Sequence, residues 1–172
     1  MNISSILKTV AVAGMVSVAL TSVASAQTRV HAPLGFQLMC LKNPSQCEAG
    51  GASSIAATND VMAKIRRVNV AVNNSITPKA DGRIDVWTVN ASAGDCEEYV
   101  LAKRAALIKE GLPSSSLRIA YVKANGVGHA ILVVKTDNGD FVLDNLSSAV
   151  RPLARSGYRI IEEMSADPDV WT

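Results

Sequence analysis

One cysteine and one histidine carry the chemistry that this sequence suggests. Cys96 follows Ala93-Gly94-Asp95 and begins a run of helix-forming residues that reaches Glu110. The start of a helix favours a thiolate, because its unpaired N–H groups and its dipole stabilise negative charge. His129 follows Gly126-Val127-Gly128, where its imidazole could hold that thiolate and later protonate a leaving group. The pair predicts acyl transfer with a cysteine nucleophile.

A third polar group usually fixes the tautomer of such a base. The turn Asp137-Asn138-Gly139 predicts a tight hairpin, and a turn centred on its last two residues pairs positions whose numbers sum to about 277. That register puts Asp144 near Val133 and not beside His129, and it leaves Asp140 as a competitor. Spacing alone therefore leaves the third member open, with a plain turn or cap role as the alternative for Asp144.

Three carboxylates surround the candidate nucleophile: Asp95, Glu97 and Glu98. Acidic residues in a first helical turn interact favourably with the helix dipole by a few tenths of a kcal/mol, and this alone could account for their presence. Negative charge beside a thiolate nevertheless opposes its formation. A bound hard cation such as calcium, which prefers oxygen ligands, would resolve that conflict.

The first 26 residues have the features of a secretory signal peptide. A short positive end up to Lys8 precedes an apolar run over 9–20, and Ala24-Ser25-Ala26 fits a cleavage site. The apolar run is shorter than the roughly 18 to 20 residues that cross a bilayer, so no membrane anchor is expected. The sequence predicts a periplasmic or secreted protein.

Removal of residues 1–26 leaves 146 of the 172 residues, a length typical of one compact domain. Seventeen Lys and Arg against fifteen Asp and Glu give a formal charge of +2, and aromatic residues make up only 4%. Such a balance does not favour nucleic acid as a partner.

Three cysteines in an exported chain suggest one disulfide and one free thiol. Cys40 and Cys47, which flank a short loop, are the natural pair, and Cys96 is left over. Residues 27–54 are rich in Gly, Pro and Ser and predict a stapled, loop-rich segment, followed by the main domain over 55–172.

Two helical patterns precede a series of strands. An amphipathic helix is predicted from the caps at 58–60 through the apolar positions Val61, Ile65, Val68 and Val72. A second helix is predicted from Cys96 to Glu110. β-rich runs follow at 117–122, 129–136, 140–146 and 158–164. The order predicts an α+β fold with its N-terminal helices packed on an antiparallel sheet.

Three runs resemble the bacterial transglutaminase-like cysteine proteinases: Gly94-Asp95-Cys96-Glu97-Glu98-Tyr99 with Lys103 after it, Gly128-His129-Ala130, and Val142-Leu143-Asp144-Asn145-Leu146. The resemblance extends from the helix of Asn69 and Asn73 through Trp87 to Trp171, about two thirds of the chain. It implies a papain-like, transglutaminase-like core and the catalytic order Cys, His, Asp.

The resemblance makes Cys96 the nucleophile, His129 the general base and acid, and Asp144 the orienting carboxylate. Characterised relatives include calcium-dependent periplasmic proteases that release large surface adhesins, and Asp95 and Glu97 match the acidic residues that bind their ion. The chemistry itself requires no cofactor, and calcium is the one candidate ion.

We therefore expect an exported cysteine peptidase that hydrolyses peptide bonds of an envelope or surface protein. The alternatives are an amine-accepting acyltransferase or cell-wall-trimming amidase on the same triad, and a non-catalytic binding module that keeps the fold. The expected partners are a protein or peptide substrate and a regulatory inhibitor protein. The Cys96 backbone N–H is the expected oxyanion donor, and the Trp87 indole is a further candidate against plain core packing.

Overall fold

The computed structural model describes residues 28–172, so the predicted signal peptide and its cleavage at Ala26 lie outside the described residues. Three α-helices and seven strands are present in this part of the chain: α1 (Leu34–Lys42), α2 (Asn59–Ser75), α3 (Cys96–Lys109), β1 (Thr77–Pro78), β2 (Ala93–Gly94), β3 (Leu117–Ala124), β4 (Val127–Val134), β5 (Phe141–Asp144), β6 (Ser147–Pro152) and β7 (Ile160–Glu163).

Helix α2 forms as its sequence predicts. The Thr58 side chain caps it by accepting a hydrogen bond from the Val61 N–H, and Ile65, Val68 and Val72 are buried along one face. The helix ends at Ser75.

Helix α3 begins in a capping box. The Asp95 carboxylate accepts from the backbone N–H at the third helical position, and the Glu98 carboxylate accepts from the Asp95 N–H. Gly111, at φ +90°, follows the last turn. This cap fixes the start of α3, and with it the position of Cys96, the first residue of the helix.

Five strands form an antiparallel sheet in the order β6-β5-β4-β3-β7. The helices cover one face, where the main core includes Ile65, Leu101, Leu117 and Leu132. A smaller apolar cluster lies on the other face. The predicted α+β arrangement of helices on an antiparallel sheet is confirmed.

The strands differ from the sequence prediction in two places. The run predicted over 140–146 is split, because the chain turns after Asp144 and returns as β6 beside β5. The run predicted over 158–164 is the shorter edge strand β7.

The segment over 27–54 was predicted as loop, but it contains α1 and a 3₁₀ turn at Pro44–Gln46. The pattern misled because α1 is apolar all round: Phe36 and Met39 are buried, while Leu34, Leu38 and Leu41 are exposed. The Cys40–Cys47 disulfide is present, with Cα atoms 5.7 Å apart. Within residues 28–172, no helix is both long and apolar enough to cross a bilayer.

Helix α1 depends on Gly35 to approach the core. A Cβ at this position would lie 2.3 Å from Trp87 Cδ1 and 2.7 Å from its Nε1. The Trp87 ring is buried and meets Phe36 edge-on at 5.6 Å between centroids. The indole therefore has little room to yield.

We expect Gly35→Ala to lower the free energy of unfolding. Alanine favours a helix interior by about 1 kcal/mol over glycine, but forcing a methyl group into the indole costs about 1 to 3 kcal/mol. Urea denaturation should therefore show a net loss of up to about 2 kcal/mol. Gly82→Ala is the control, since no atom of the described residues lies within 4 Å of its Cβ position. Equal midpoints for the two variants would contradict the packing argument.

Candidate active site

Cys96 lies half-buried at the first position of α3, and its thiol is free. The Sγ donates a hydrogen bond to Glu97 Oε2 at 2.8 Å. Burial, followed by the hydrogen bond and charge of Glu97, raises the pKa of the thiol far above its ordinary range, although the Ala130 backbone N–H opposes the shift. The sequence-based expectation of a lowered thiol pKa is thus wrong for this arrangement, because burial and carboxylates outweigh the helix dipole.

His129 and Asp144 form a buried pair on neighbouring strands β4 and β5. The distance from His129 Nε2 to Asp144 Oδ1 is 2.8 Å, and the residues are 6% and 4% exposed. With Nε2 bound to the carboxylate, Nδ1 is the ring nitrogen left for another partner.

The register between these strands differs from the one predicted. Leu132 pairs with Leu143 and Val134 with Phe141, so paired residue numbers sum to 275. The turn is displaced because the Thr136 hydroxyl accepts from the Asn138 N–H. One further step along the ladder sets Asp144 opposite Ile131, on the same sheet face as His129 and diagonal to it. The predicted neighbour Val133 is therefore wrong.

Three groups donate hydrogen bonds to the Asp144 carboxylate: His129 Nε2 and the Leu146 N–H to Oδ1, and the Tyr158 hydroxyl to Oδ2 at 2.5 Å. Burial alone would raise the pKa of Asp144, but these bonds outweigh it and hold the pKa below its ordinary value. The competitor Asp140 instead pairs with Lys135 at 2.9 Å.

Cys96 and His129 line one cleft of about 360 Å³. Its other lining residues come from the β1 loop, the start of α3 and the turn after β5: Pro78, Lys79, Ala80, Gly94, Asp95, Tyr99, Asn145 and Leu146. The loops at both sides of the cleft leave the thiol and the imidazole facing the same space.

Trp87 is not among the described residues that line this cleft. Its indole packs against Gly35 and Phe36, and the buried Nε1 has no hydrogen-bond partner in residues 28–172. The alternative of core packing describes Trp87 better than the role of oxyanion donor.

The acidic residues near the thiol divide into two overlapping groups. Ligand atoms of Asp95, Cys96 and Glu97 lie within 4.8 Å of one another, and so do those of Asp81, Asp95 and Glu98. Burial, followed by the neighbouring Asp95, raises the pKa of Glu97 to about 7. Sequence reasoning missed Asp81, since the Asp81-Gly82 pair resembles a simple stop signal for a helix. The residues therefore form a candidate cation site beside Cys96.

A match with known sequences is clear for this chain. Residues 26–172 match the family model described as bacterial transglutaminase-like cysteine proteinase, BTLCP. The chain belongs to this family. No curated protein matches it closely enough to serve as a relative.

Solved structures of LapG from Legionella pneumophila share the family fold. The calcium-bound form is 24% identical to this chain, with a TM-score of 0.56. The match covers 62% of this chain and 66% of the LapG chain. The EGTA-treated form is 24% identical at a TM-score of 0.55, with coverage of 62% and 64%. This chain therefore spans just under two thirds of the length of either structure. The likeness confirms the predicted transglutaminase-like fold.

Behind the cleft, Lys103 of α3 is completely buried, and none of residues 28–172 gives its Nζ a hydrogen-bond partner. The Tyr99 ring lies 5.9 Å from the Nζ, and Asp144 is the charged group that faces it. Burial lowers the pKa of Lys103 to about 7, although Asp144 opposes the shift. The site thus includes a buried amine whose charged form costs stability.

We expect Lys103→Met to stabilise the protein most below pH 7. Below pH 7 Lys103 is protonated in both the folded and the unfolded wild type, so the full cost of burying its charge lowers the free energy of unfolding. Between pH 7 and about 10.4 the unfolded wild type binds more protons than the folded one, and wild-type stability rises with pH. The variant should gain about 1 to 4 kcal/mol at pH 6 in urea denaturation, and less at pH 9.

Lys109→Met is the matched control, because Lys109 is exposed at the end of the same helix. It should give no gain that depends on pH. An advantage of Lys103→Met that is equal at pH 6 and pH 9 would rule out a buried, titrating amine.

Proposed function

We propose that this protein is an exported cysteine peptidase that hydrolyses peptide bonds of an envelope or surface protein, with Cys96, His129 and Asp144 as its catalytic triad. The observation that carries the proposal is the buried 2.8 Å bond between His129 Nε2 and Asp144, beside a cleft that Cys96 shares. Membership of a cysteine proteinase family supports it. Removal of residues 1–26 as a signal peptide, with one domain over 55–172, belongs to the same proposal.

The reaction follows from this geometry. His129 Nδ1 takes the thiol proton while Cys96 Sγ attacks the substrate carbonyl carbon, and the protonated ring then gives that proton to the departing amine. Water attacks the resulting thioester as His129 takes its proton, and the thiol is regenerated. The Cys96 backbone N–H, at the first helical position, has no intrahelical acceptor and suits the oxyanion.

The thiol must turn from Glu97 before this sequence can begin, because it donates to that carboxylate at 2.8 Å. Asp144 keeps Nε2 protonated throughout and stabilises the imidazolium that forms. The Asp144 carboxylate suits this role, since hydrogen bonds keep its pKa low.

The acidic residues fit a calcium ion. Asp95 Oδ1 is buried and lacks a hydrogen-bond partner in the described part of the chain, and hard oxygen ligands are what calcium prefers. Asp95 and Glu97, the ligands expected from the family, would hold the ion together with Asp81 and Glu98. Bound calcium would offset the negative charge that opposes a thiolate at Cys96.

We expect His129→Ala to lower the rate of Cys96 alkylation by iodoacetamide near pH 7, because the thiol loses the base that takes its proton. The same change should slow cleavage of envelope proteins by about 10² to 10⁴-fold. Mass spectrometry of the labelled cysteine and of new peptide N-termini measures both effects. His31→Ala is the matched control, since His31 is exposed and lies outside the cleft.

Three results would each change the proposal. Equal alkylation of wild type and His129→Ala would favour a binding module with an ordinary thiol. Incorporation of a fluorescent amine into envelope proteins without new peptide N-termini would favour the acyltransferase. Identical fragments from wild type and Cys96→Ala would remove the peptidase.

We expect calcium to raise the melting temperature of the wild type relative to EGTA, since a ligand at 100 times its Kd stabilises by about 2.7 kcal/mol. Asp81→Asn should abolish most of this shift, because it removes one carboxylate from the cluster. Asp60→Asn, on an exposed residue of α2, should keep it. Titration calorimetry with calcium alone gives a second readout, and no heat of binding in the wild type would exclude the site.

A further inference from the structure

Tyr158 contacts the candidate catalytic carboxylate from a part of the chain that the resemblance does not single out. It lies in the connection between β6 and β7, and its hydroxyl donates to Asp144 Oδ2 at 2.5 Å. The other carboxylate oxygen already accepts from His129 and from the Leu146 N–H. The hydrogen bond from Tyr158 therefore restrains rotation of the Asp144 carboxylate about its Cβ–Cγ bond.

The local backbone is built to aim Tyr158 at this point. Gly157 has φ +80°, a conformation that favours glycine, and it reverses the chain just before the tyrosine. The Tyr158 N–H donates to Ser156 Oγ at 3.0 Å, and that hydroxyl donates to the Leu153 carbonyl at 2.7 Å. The Tyr158 and His129 rings then lie 6.1 Å apart.

The hydroxyl of Tyr158 remains a donor over the whole physiological pH range. Burial, followed by the bond to Asp144, raises its pKa to about 12. A donor that stays protonated over this range gives Asp144 a constant environment.

Helix α2 holds the backbone of Asp144 from the opposite direction. Asn73 Nδ2 donates to the Asp144 carbonyl at 2.9 Å and to the Ser147 carbonyl at 3.1 Å. Asn69 Nδ2 donates to the Ser147 and Ser148 carbonyls at 3.0 and 3.1 Å. The backbone position of Asp144 is thus set by α2, which leaves Tyr158 to set the orientation of its carboxylate.

We propose that Tyr158 is a positioning residue, whose hydroxyl orients the Asp144 carboxylate so that His129 carries its proton on Nε2 and presents Nδ1 to Cys96. This inference rests on the proposed peptidase function. It names a residue outside the triad whose loss changes the tautomer of the base and leaves the cleft intact.

The test is Tyr158→Phe, which removes one oxygen atom. The chain has two histidines, so ¹⁵N NMR of the imidazoles assigns His129 with His31 as an internal reference. We expect the wild type to show the Nε2–H tautomer and Tyr158→Phe to show a mixture of both tautomers. On a peptide from a cleaved envelope protein, kcat should fall about tenfold while KM stays within twofold.

Ser116→Ala is the matched control, because Ser116 is also buried and loses one hydrogen bond, to the Pro113 carbonyl, just before β3. It should leave the tautomer of His129 and kcat unchanged. Ser156→Ala is a second variant, which frees the Tyr158 N–H and should shift the tautomer in the same direction by a smaller amount.

A wild-type tautomer in Tyr158→Phe overturns the proposal, whatever the activity. The NMR readout does not depend on turnover, so the two proposals fail separately. A tautomer shift in a protein with no peptidase activity would support the role of Tyr158 at the Asp144–His129 pair and count against the peptidase.

Discussion

The hydrogen bond between His129 and Asp144 is the interaction on which the site depends. Both side chains are buried, so breaking the bond would leave an unpaired polar group in the interior at a cost of about 1 to 3 kcal/mol. The bond exists because β4 and β5 pair in one register, and a shift by one residue would move Asp144 to the other face of the sheet. The polar contacts of α2 to the Asp144 carbonyl and the turn after it hold that register at the end where pairing stops. The geometry of the His129–Asp144 pair therefore depends on the pairing of β4 with β5 and on the contacts from α2.

The Cys96 thiol lies under opposing influences. Its place at the start of α3 favours the thiolate, but burial and Glu97 hold it as a thiol that donates to the carboxylate. A helix dipole contributes typically 0.3 to 1 kcal/mol, whereas desolvation and a close like charge can each exceed that severalfold. The neighbouring carboxylates Asp95 and Glu98 cap α3, so their removal would also remove the cap of the helix. A cation held by Asp95 and Glu97 together with Asp81 and Glu98 would reconcile these two requirements, since it would offset the negative charge and keep the oxygens in place.

Helix α2 could be predicted from the sequence because it has a clear cap and a regular apolar stripe, and α3 because its residues favour a helix. Helix α1 could not, since apolar residues on its exposed side hide the periodicity. The helical pattern predicted that Cys96 lies at the start of a helix, and the family resemblance indicated Asp144 as the partner of His129. Pairing arithmetic alone could not place Asp144, because Thr136 binds inside the turn and shifts its centre. Asp81 and Tyr158 were missed for a common reason: each comes from a connecting segment, and only folding brings it to the site.

Several polar side chains are buried behind the cleft, among the apolar residues of the core. Asn69, Lys103 and Asp144 occupy buried positions where an apolar residue would stabilise the domain more. Asn69 binds the turn after β5, Lys103 lies over the Tyr99 ring, and Asp144 binds the imidazole. Local violations of the apolar pattern tend to mark functional or strained sites, where stability is given up for orientation. Here they lie on two helices and one strand that meet around the Asp144 carboxylate and the turn after it, as the proposed triad would require of its third member.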